Sequence, residues 1–135
     1  MTVNACGQRG DTEPPGDALR DLRGQWVVIN YWAQWCKPCI EEIPELNTLD
    51  SEYPDVTVLG VNYDGATGEE LEQQRQQLGV SFASLEQDPA EQLGQSRPMV
   101  LPTTFIVNPQ GELVETLIGP QTLESLVQAT AQAKN

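Results

Sequence analysis

The most constraining feature of this chain is a run of seven residues, WVVINYW (26–32), that leads directly into a Cys-Lys-Pro-Cys segment. The run is short, almost continuously apolar and rich in β-branched and aromatic residues, which predicts a strand buried on both faces of a sheet. After the cysteines, apolar residues recur every three positions, close to the spacing of one helix face: Ile40, Ile43, Leu46 and Leu49. The sequence therefore predicts a strand–turn–helix unit with Cys36 and Cys39 at the turn.

The rest of the chain alternates between predicted strands and helices. Helices are expected over 67–78 and from Thr122 onwards, with a helical turn at 89–93, and Thr67 with Glu70 fits a capping box at the first of them. Strands separated by helices should run parallel, while the last two strands should form an antiparallel hairpin. The fold class is therefore α/β, with a mixed central sheet and helices on both faces. The further strands are predicted at 56–63, 81–85, 103–107 and 112–118.

Length, charge and composition exclude several kinds of function. The 135 residues suffice for one domain that folds without a metal or a disulfide framework. The net charge of −13 is a poor electrostatic match for nucleic acid, so we expect no nucleic-acid partner. The chain has no histidine, which excludes Cys-His and Ser-His nucleophile pairs and imidazole metal ligands.

The Cys-x-x-Cys pair carries the predicted chemistry. A predicted helix N-terminus at Cys36, with the positive charge of Lys37 beside it, favours the thiolate, and such sites lower a thiol pKa from about 8.5 to roughly 3.5–7.5. Pro38 fits the first helical turn, where a missing N–H costs little. Cys39 is placed to attack a mixed disulfide at Cys36 and release the partner. These features predict thiol–disulfide redox chemistry.

The cysteine pair has three other interpretations. A zinc site normally needs four ligands, but the chain has three cysteines and no histidine. An iron–sulfur cluster would need two chains to supply four thiolates. An inert disulfide would close a very small loop and stabilise little. No metal or cofactor is therefore expected.

These residues also carry a family resemblance. The motif WAQWCKPC (32–39) closely resembles the thioredoxin active site, and its surroundings resemble the TlpA/ResA/CcmG branch of bacterial envelope oxidoreductases. The resemblance implies a thioredoxin fold with a TlpA-like αβ insertion at about 65–90. It also implies a thioredoxin-like domain at 21–135 after a flexible tether at 1–20. Further similar segments are LRGQWVVIN (22–30), CIEEIP (39–44), LPTTF (101–105) and NPQG (108–111).

The resemblance also implies roles for individual residues. Cys36 would be the attacking thiol and Cys39 the resolving one. Pro102 would be a cis-proline facing the disulfide, and Leu101 would offer its backbone to an extended substrate. The exposed part of this substrate-binding surface would be formed by Trp35, Lys37 and Pro38. The nearby segment Ser96–Val100 matches no single subfamily.

Proton transfer is expected at a carboxylate. Thioredoxin has a buried aspartate at the position of Asn30, which cannot titrate. Glu42, one turn beyond Cys39, is then the candidate proton acceptor for the resolving thiol, and burial there should raise its pKa. The alternative is that Glu42 is a solvated helix residue like Glu41.

The cellular compartment is indicated mainly by the resemblance. Val3-Asn4-Ala5-Cys6 partly resembles a lipoprotein cleavage site, so Cys6 is a candidate lipid anchor. The alternative is a free cysteine in a disordered end or a cloning remnant. No stretch approaches 18 apolar residues, so no membrane span is expected. The resemblance implies a location in the periplasm or cell envelope.

The leading functional hypothesis is a monomeric reductant of envelope protein disulfides. Its partners would be disulfide-containing proteins, with apocytochrome c as one candidate in cytochrome c biogenesis, and an upstream membrane thiol donor. A thiol oxidant or isomerase on the same fold is the nearest alternative. A copper(I) carrier that uses the cysteine pair is a third, because soft thiolates suit that ion.

Overall fold

The computed structural model describes residues 17–132. Its helices are α1 (Asp17–Arg20), α2 (Lys37–Glu52), α3 (Gly68–Leu78) and α4 (Leu123–Ala129). Its strands are β1 (Trp26–Trp32), β2 (Val56–Asn62), β3 (Ala83–Ser84), β4 (Thr103–Val107) and β5 (Leu113–Ile118), with a 3₁₀ turn at Glu91–Leu93. The predicted order of elements from β1 to α4 is confirmed, and α1 is an additional short helix in a segment that the sequence predicted as irregular. Cys6 and most of the predicted tether lie outside the described residues.

The five strands form one sheet in the order β3-β2-β1-β4-β5. The pairs β1–β2 and β2–β3 are parallel, whereas β4 runs antiparallel to both β1 and β5. The parallel strands are those joined through helices, and the antiparallel pair β4–β5 is the predicted hairpin. The mixed sheet expected from the sequence is therefore confirmed, with β1 at its centre.

The apolar side chains of β1 alternate between two hydrophobic cores, one on each face of the sheet. Val28 and Trp32 face a core that includes the buried side of α2 and Leu126 of α4. Ile29 and Tyr31 face a second core, against which Leu19, Leu22 and Leu93 pack. The three longer helices thus cover one face, while α1 and the 3₁₀ turn lie on the other. Because each fully buried large apolar side chain contributes about 1.5–3 kcal/mol, this double burial fixes β1 as the rigid base of the site.

A close approach explains the glycine in the middle of β2. A Cβ atom at Gly60 would lie 2.8 Å from Cε1 of Phe82 and 2.9 Å from Nε1 of Trp32. Both side chains are completely buried, so neither can move aside easily. The strand residue must therefore lack a side chain for Phe82 and Trp32 to pack over it.

The predicted capping box at α3 is wrong. Thr67 is the N-cap residue, but its side chain makes no capping hydrogen bond. Thr67 and Glu70 are both exposed, so water competes for the same N–H groups. Gly79 ends the helix as expected, with φ of 76°.

A capping box is present instead at α4. There Thr122 Oγ1 accepts from Ser125 N at 3.1 Å, and Ser125 Oγ accepts from Thr122 N at 3.0 Å. The sequence predicted Thr122 as the cap of this helix, and the structure confirms it. Serine at the third helical position completes the reciprocal pair in place of the usual Glu or Gln.

The third strand is shorter than predicted. It contains only Ala83 and Ser84, which pair with Leu59 and Gly60 of β2. Phe82, just before it, is drawn into the core over Gly60 and lies outside the two-residue pairing. The pattern at 81–85 therefore marks the strand correctly but overestimates its length.

Candidate active site

Cys36 and Cys39 form a disulfide bond at the turn between β1 and α2, with their Cα atoms 5.3 Å apart. Cys36 is the N-cap residue of α2, and its Sγ accepts a hydrogen bond from the backbone N–H of Cys39 at 3.2 Å. Cys36 is 5% exposed and Cys39 is 0% exposed. A partner can therefore reach the Cys36 sulfur more easily, and that sulfur also receives the N–H and the positive end of the helix dipole.

The residues around the cysteines form the exposed part of the site. Trp35 is 63% exposed, yet its indole Nε1 donates to Asp64 Oδ2 at 2.8 Å. This bond fixes the ring against the loop that follows β2. Lys37 and Pro38 are also exposed, in the first turn of α2. All three residues lie beside Cys36 along the chain, as the motif predicts.

The start of β4 brings Pro102 to the same end of the sheet as the disulfide turn. Thr103 pairs with Tyr31 at the end of β1, so the residue before Thr103 lies beside the turn that leads to Cys36. The Leu101–Pro102 peptide bond is cis, as the resemblance implies. Leu101 packs against both hydrophobic cores. Within residues 17–132, the backbone N–H and C=O of Leu101 have no backbone partner.

Glu42 is buried on the same side of α2 as Cys39, one turn further along the helix. It is 2% exposed, whereas Glu41 is exposed, so the alternative of a solvated Glu42 is wrong. Its Oε1 accepts from Asn30 Nδ2 at 2.6 Å and its Oε2 accepts from Gln121 N at 2.8 Å. Burial raises the pKa of Glu42 to about 7, and these two hydrogen bonds hold it from rising further.

Several polar contacts of the buried site were not predicted from the sequence. Asn30 Nδ2 also donates to Thr104 Oγ1 at 3.1 Å, and among the described atoms Asn30 Oδ1 has no partner. Glu45, one turn after Glu42, accepts from Leu123 N at 2.6 Å. Two carboxylates of α2 thus bind the segment that begins α4. The i, i+3 spacing of these glutamates was the available indication in the sequence.

Two further properties of the described residues bear on possible functions. Between residues 17 and 132, no three acidic or cysteine side chains converge as they would around a metal ion. Over the same range, no helix combines the length and the apolar composition that crossing a bilayer requires.

A strand, a Cys-x-x-Cys turn and a helix, set beside a cis-proline at one end of a mixed sheet, define the thioredoxin-fold thiol–disulfide oxidoreductases. The chain belongs to the AhpC/TSA family, whose family model matches residues 14–116. It shares 33% identity with the thiol-disulfide oxidoreductase ResA of Bacillus thuringiensis (strain Al Hakam) over 118 residues. That match covers 86% of this chain and 68% of the relative.

Solved structures show the same fold. A Chlorobium tepidum protein described as the thiol:disulfide interchange protein DsbE superposes with a TM-score of 0.67 and 27% identity, covering 82% of this chain and 81% of that one. A secreted thiol-disulfide isomerase of Corynebacterium glutamicum has a TM-score of 0.68 and 26% identity, covering 83% and 72%. The predicted thioredoxin fold and oxidoreductase class are thereby confirmed, and the substrates of this class are protein disulfides.

Proposed function

We propose that this protein reduces disulfides of other proteins, with Cys36 as the attacking thiol and Cys39 as the resolving thiol. The observation that carries the proposal is the placement of Cys36 at the N-cap of α2, where its Sγ accepts the Cys39 N–H at 3.2 Å. In the reduced protein the same N–H and helix dipole stabilise a thiolate, which is the reactive form. The complete burial of Cys39 keeps it from competing for the substrate.

The reaction consists of two thiol–disulfide exchanges. The Cys36 thiolate attacks one sulfur of the substrate disulfide, forming a mixed disulfide, and the other substrate sulfur leaves as a thiolate and takes a proton. The Cys39 thiolate then attacks Cys36 Sγ, so the second substrate sulfur leaves and is also protonated. The substrate gains two electrons and two protons, and the protein ends with its Cys36–Cys39 disulfide. An upstream membrane thiol donor would return it to the dithiol.

Glu42 is proposed to accept the proton of the Cys39 thiol before the second exchange. The supporting observations are its burial on the same helix side as Cys39 and its pKa of about 7. A carboxyl with a pKa near the working pH can both take up and release a proton. The chain has no histidine that could serve instead.

The substrate is proposed to bind across the end of the sheet beside the disulfide. Leu101 offers backbone groups that have no backbone partner among the described residues, next to the cis bond to Pro102, and Trp35 offers an exposed ring held in place by Asp64. An extended segment can add to the backbone of Leu101 as a strand adds to a sheet edge. Lys37 and Pro38 would contact the same segment from the first turn of α2.

The proposed setting is the periplasm or cell envelope, with apocytochrome c as one candidate substrate. The support is the chain's similarity to the thiol-disulfide oxidoreductase ResA, to DsbE, and to the isomerase of Corynebacterium glutamicum, which is described as secreted. We further propose that the domain is monomeric and includes α1, whose Leu19 packs on the second core, and that the part of the predicted tether (1–20) before α1 joins it to a lipid on Cys6. Mass spectrometry of the protein purified from membranes tests the lipid, since an unmodified Cys6 thiol would exclude that anchor.

Trapping tests the catalytic proposal. Cys39→Ser removes the resolving thiol, so mixed disulfides with substrates should accumulate on Cys36 in an envelope extract. The matched control is the double variant with Cys36→Ser as well, which should trap nothing. Absence of any trapped protein with Cys39→Ser would contradict the proposed function.

A further inference from the structure

The segment just before the cis bond is held by contacts that the disulfide exchange does not use. Arg97 Nε lies 3.3 Å from Asp88 Oδ2, and Arg97 Cζ lies 3.7 Å from the centroid of the Tyr63 ring. Arg97 Nη2 also donates to the backbone oxygen of Tyr63. One guanidinium therefore joins a carboxylate, an aromatic face and a carbonyl. We refer to Asp88, Arg97 and Tyr63 as the clasp.

Both ends of the clasp are fixed to the central strands. Asp88 Oδ1 accepts from the hydroxyl of Tyr31, a fully buried residue of β1, and from Ala90 N at 2.9 Å. Tyr63 directly follows β2, and its N–H donates to Trp32 O at 2.8 Å. The Tyr63 hydroxyl reaches across to donate to Pro98 O at 2.8 Å. The clasp thus ties the segment around residue 98 to the most rigid part of the sheet.

The residues that follow Pro98 are apolar and exposed. Met99 is 92% exposed and Val100 is 53% exposed, and the cis bond to Pro102 comes next. The neighbour of Tyr63 in sequence, Asp64, holds the exposed Trp35 ring. Two consecutive residues after β2 therefore hold the Trp35 ring, through Asp64, and the segment that leads to Met99, through Tyr63.

We propose that Arg97 is a positioning residue for protein substrates. The clasp holds Met99 and Val100 in place before the substrate arrives, so that an extended segment with apolar residues beside its disulfide meets an ordered surface. Binding then avoids the entropic cost of ordering that loop. This inference rests on the proposed reduction of protein disulfides, and it adds a preference for apolar residues next to the target disulfide.

Steady-state kinetics with two substrates of different size test the role of Arg97. Arg97→Met should raise KM for insulin, a protein disulfide, about three- to tenfold, as expected from losing a partly exposed ion pair and a cation–π contact. The kcat for insulin, and the rate of exchange with oxidised glutathione, should not change, because the small disulfide does not use the loop. An unchanged KM for insulin, or an equal loss with both substrates, would overturn the proposal.

Matched variants separate the contacts of the clasp. Arg97→Lys keeps the charge near Asp88 but lacks the planar guanidinium group, so its KM should fall between those of the wild type and Arg97→Met. Asp88→Asn keeps an acceptor for Tyr31 and should also raise KM. Arg75→Met makes the same charge change on α3, where Arg75 pairs with Glu72 at 3.0 Å, and should leave KM unaltered.

A measurement independent of activity distinguishes failure of this inference from failure of the proposed function. Amide hydrogen exchange over residues 96–101 should be faster in Arg97→Met than in the wild type, with unchanged exchange in β1. Equal exchange in the two proteins would refute the clasp even if insulin is reduced. Faster exchange, with no reduction of insulin by the wild type, would instead refute the proposed function.

Discussion

Asn30 Nδ2 donates to Glu42 Oε1 at 2.6 Å, joining two buried polar side chains that lie 12 residues apart on β1 and α2. They are among the few polar groups in a core that otherwise consists of apolar side chains. The position that would hold an aspartate in thioredoxin here supports a carboxylate on the neighbouring helix. In this protein the titratable group therefore lies on α2, on the same side as Cys39, and not on the strand as in thioredoxin.

The raised pKa of Glu42 predicts a specific pH dependence of stability. Its pKa is about 7 in the folded protein against 4.5 as the ordinary value, so the folded state binds the proton more tightly. The contribution of Glu42 to stability should therefore be complete below about pH 4.5 and should be lost as the pH rises through about 7. A pKa shift of this size corresponds to about 3 kcal/mol in the free energy of unfolding.

Glu42→Gln should remove most of this slope. Denaturant unfolding of the oxidised protein between about pH 4 and pH 8 measures it. Glu41→Gln is the matched control, because Glu41 is exposed and should leave the slope as it is. Retention of the wild-type slope in Glu42→Gln would show that Glu42 does not titrate in this range.

Asn30→Ala should raise the pKa of Glu42 further, because it removes one of the two hydrogen bonds that favour the carboxylate. If Glu42 accepts the Cys39 proton, the pH midpoint for resolution of a mixed disulfide should move upwards. Stopped-flow release of a thiol from a preformed Cys36 adduct measures the midpoint. Thr104→Val, which removes only the hydroxyl beside Asn30, should shift it less. A midpoint that stays fixed or falls in Asn30→Ala would argue against this coupling.

Gly60→Ala should destabilise the protein by about 1–3 kcal/mol, because the added methyl overlaps Phe82 and Trp32. Chemical denaturation measures the loss. Phe82→Leu removes one of the overlapping ring edges, so Gly60→Ala should cost less in that background. Equal costs in the two backgrounds would mean that Phe82 is not the obstacle.

Two threonines at helix N-caps provide a matched pair. Thr122→Ala should cost about 1 kcal/mol, because it breaks the reciprocal bonds with Ser125. Thr67→Ala should cost less than about 0.5 kcal/mol, since the Thr67 side chain makes no capping bond. Their unfolding free energies can be compared directly. A larger loss at Thr67 would contradict the observed difference between the two caps.

The element order and the position of the cysteines follow from short-range patterns. Buried strands appear as apolar runs, α2 appears as a three-residue recurrence, and the Cys-x-x-Cys pair lies where one becomes the other. These patterns act within about ten residues. The sequence alone was therefore sufficient to place Cys36 and Cys39 at the start of a helix.

The buried polar contacts depend on long-range packing. Gln121 donates to Glu42 across 79 positions of sequence, and Thr104 accepts from Asn30 across 74. Arg97 bonds to Tyr63 from 34 positions away. No local pattern encodes such pairs, because the sheet order and the packing of α4 on α2 bring them together. The capping box predicted at Thr67 failed for the opposite reason: the local pattern is present, but both side chains face water.

The reduction potential of the Cys36–Cys39 couple tests the central proposal most directly. Equilibration of the protein with glutathione or dithiothreitol buffers of known potential measures it. A protein reductant should have a potential more negative than about −200 mV, towards the value of thioredoxin near −270 mV. A potential near −120 mV, typical of an oxidant, would contradict the proposal and favour the alternative that this protein introduces disulfides.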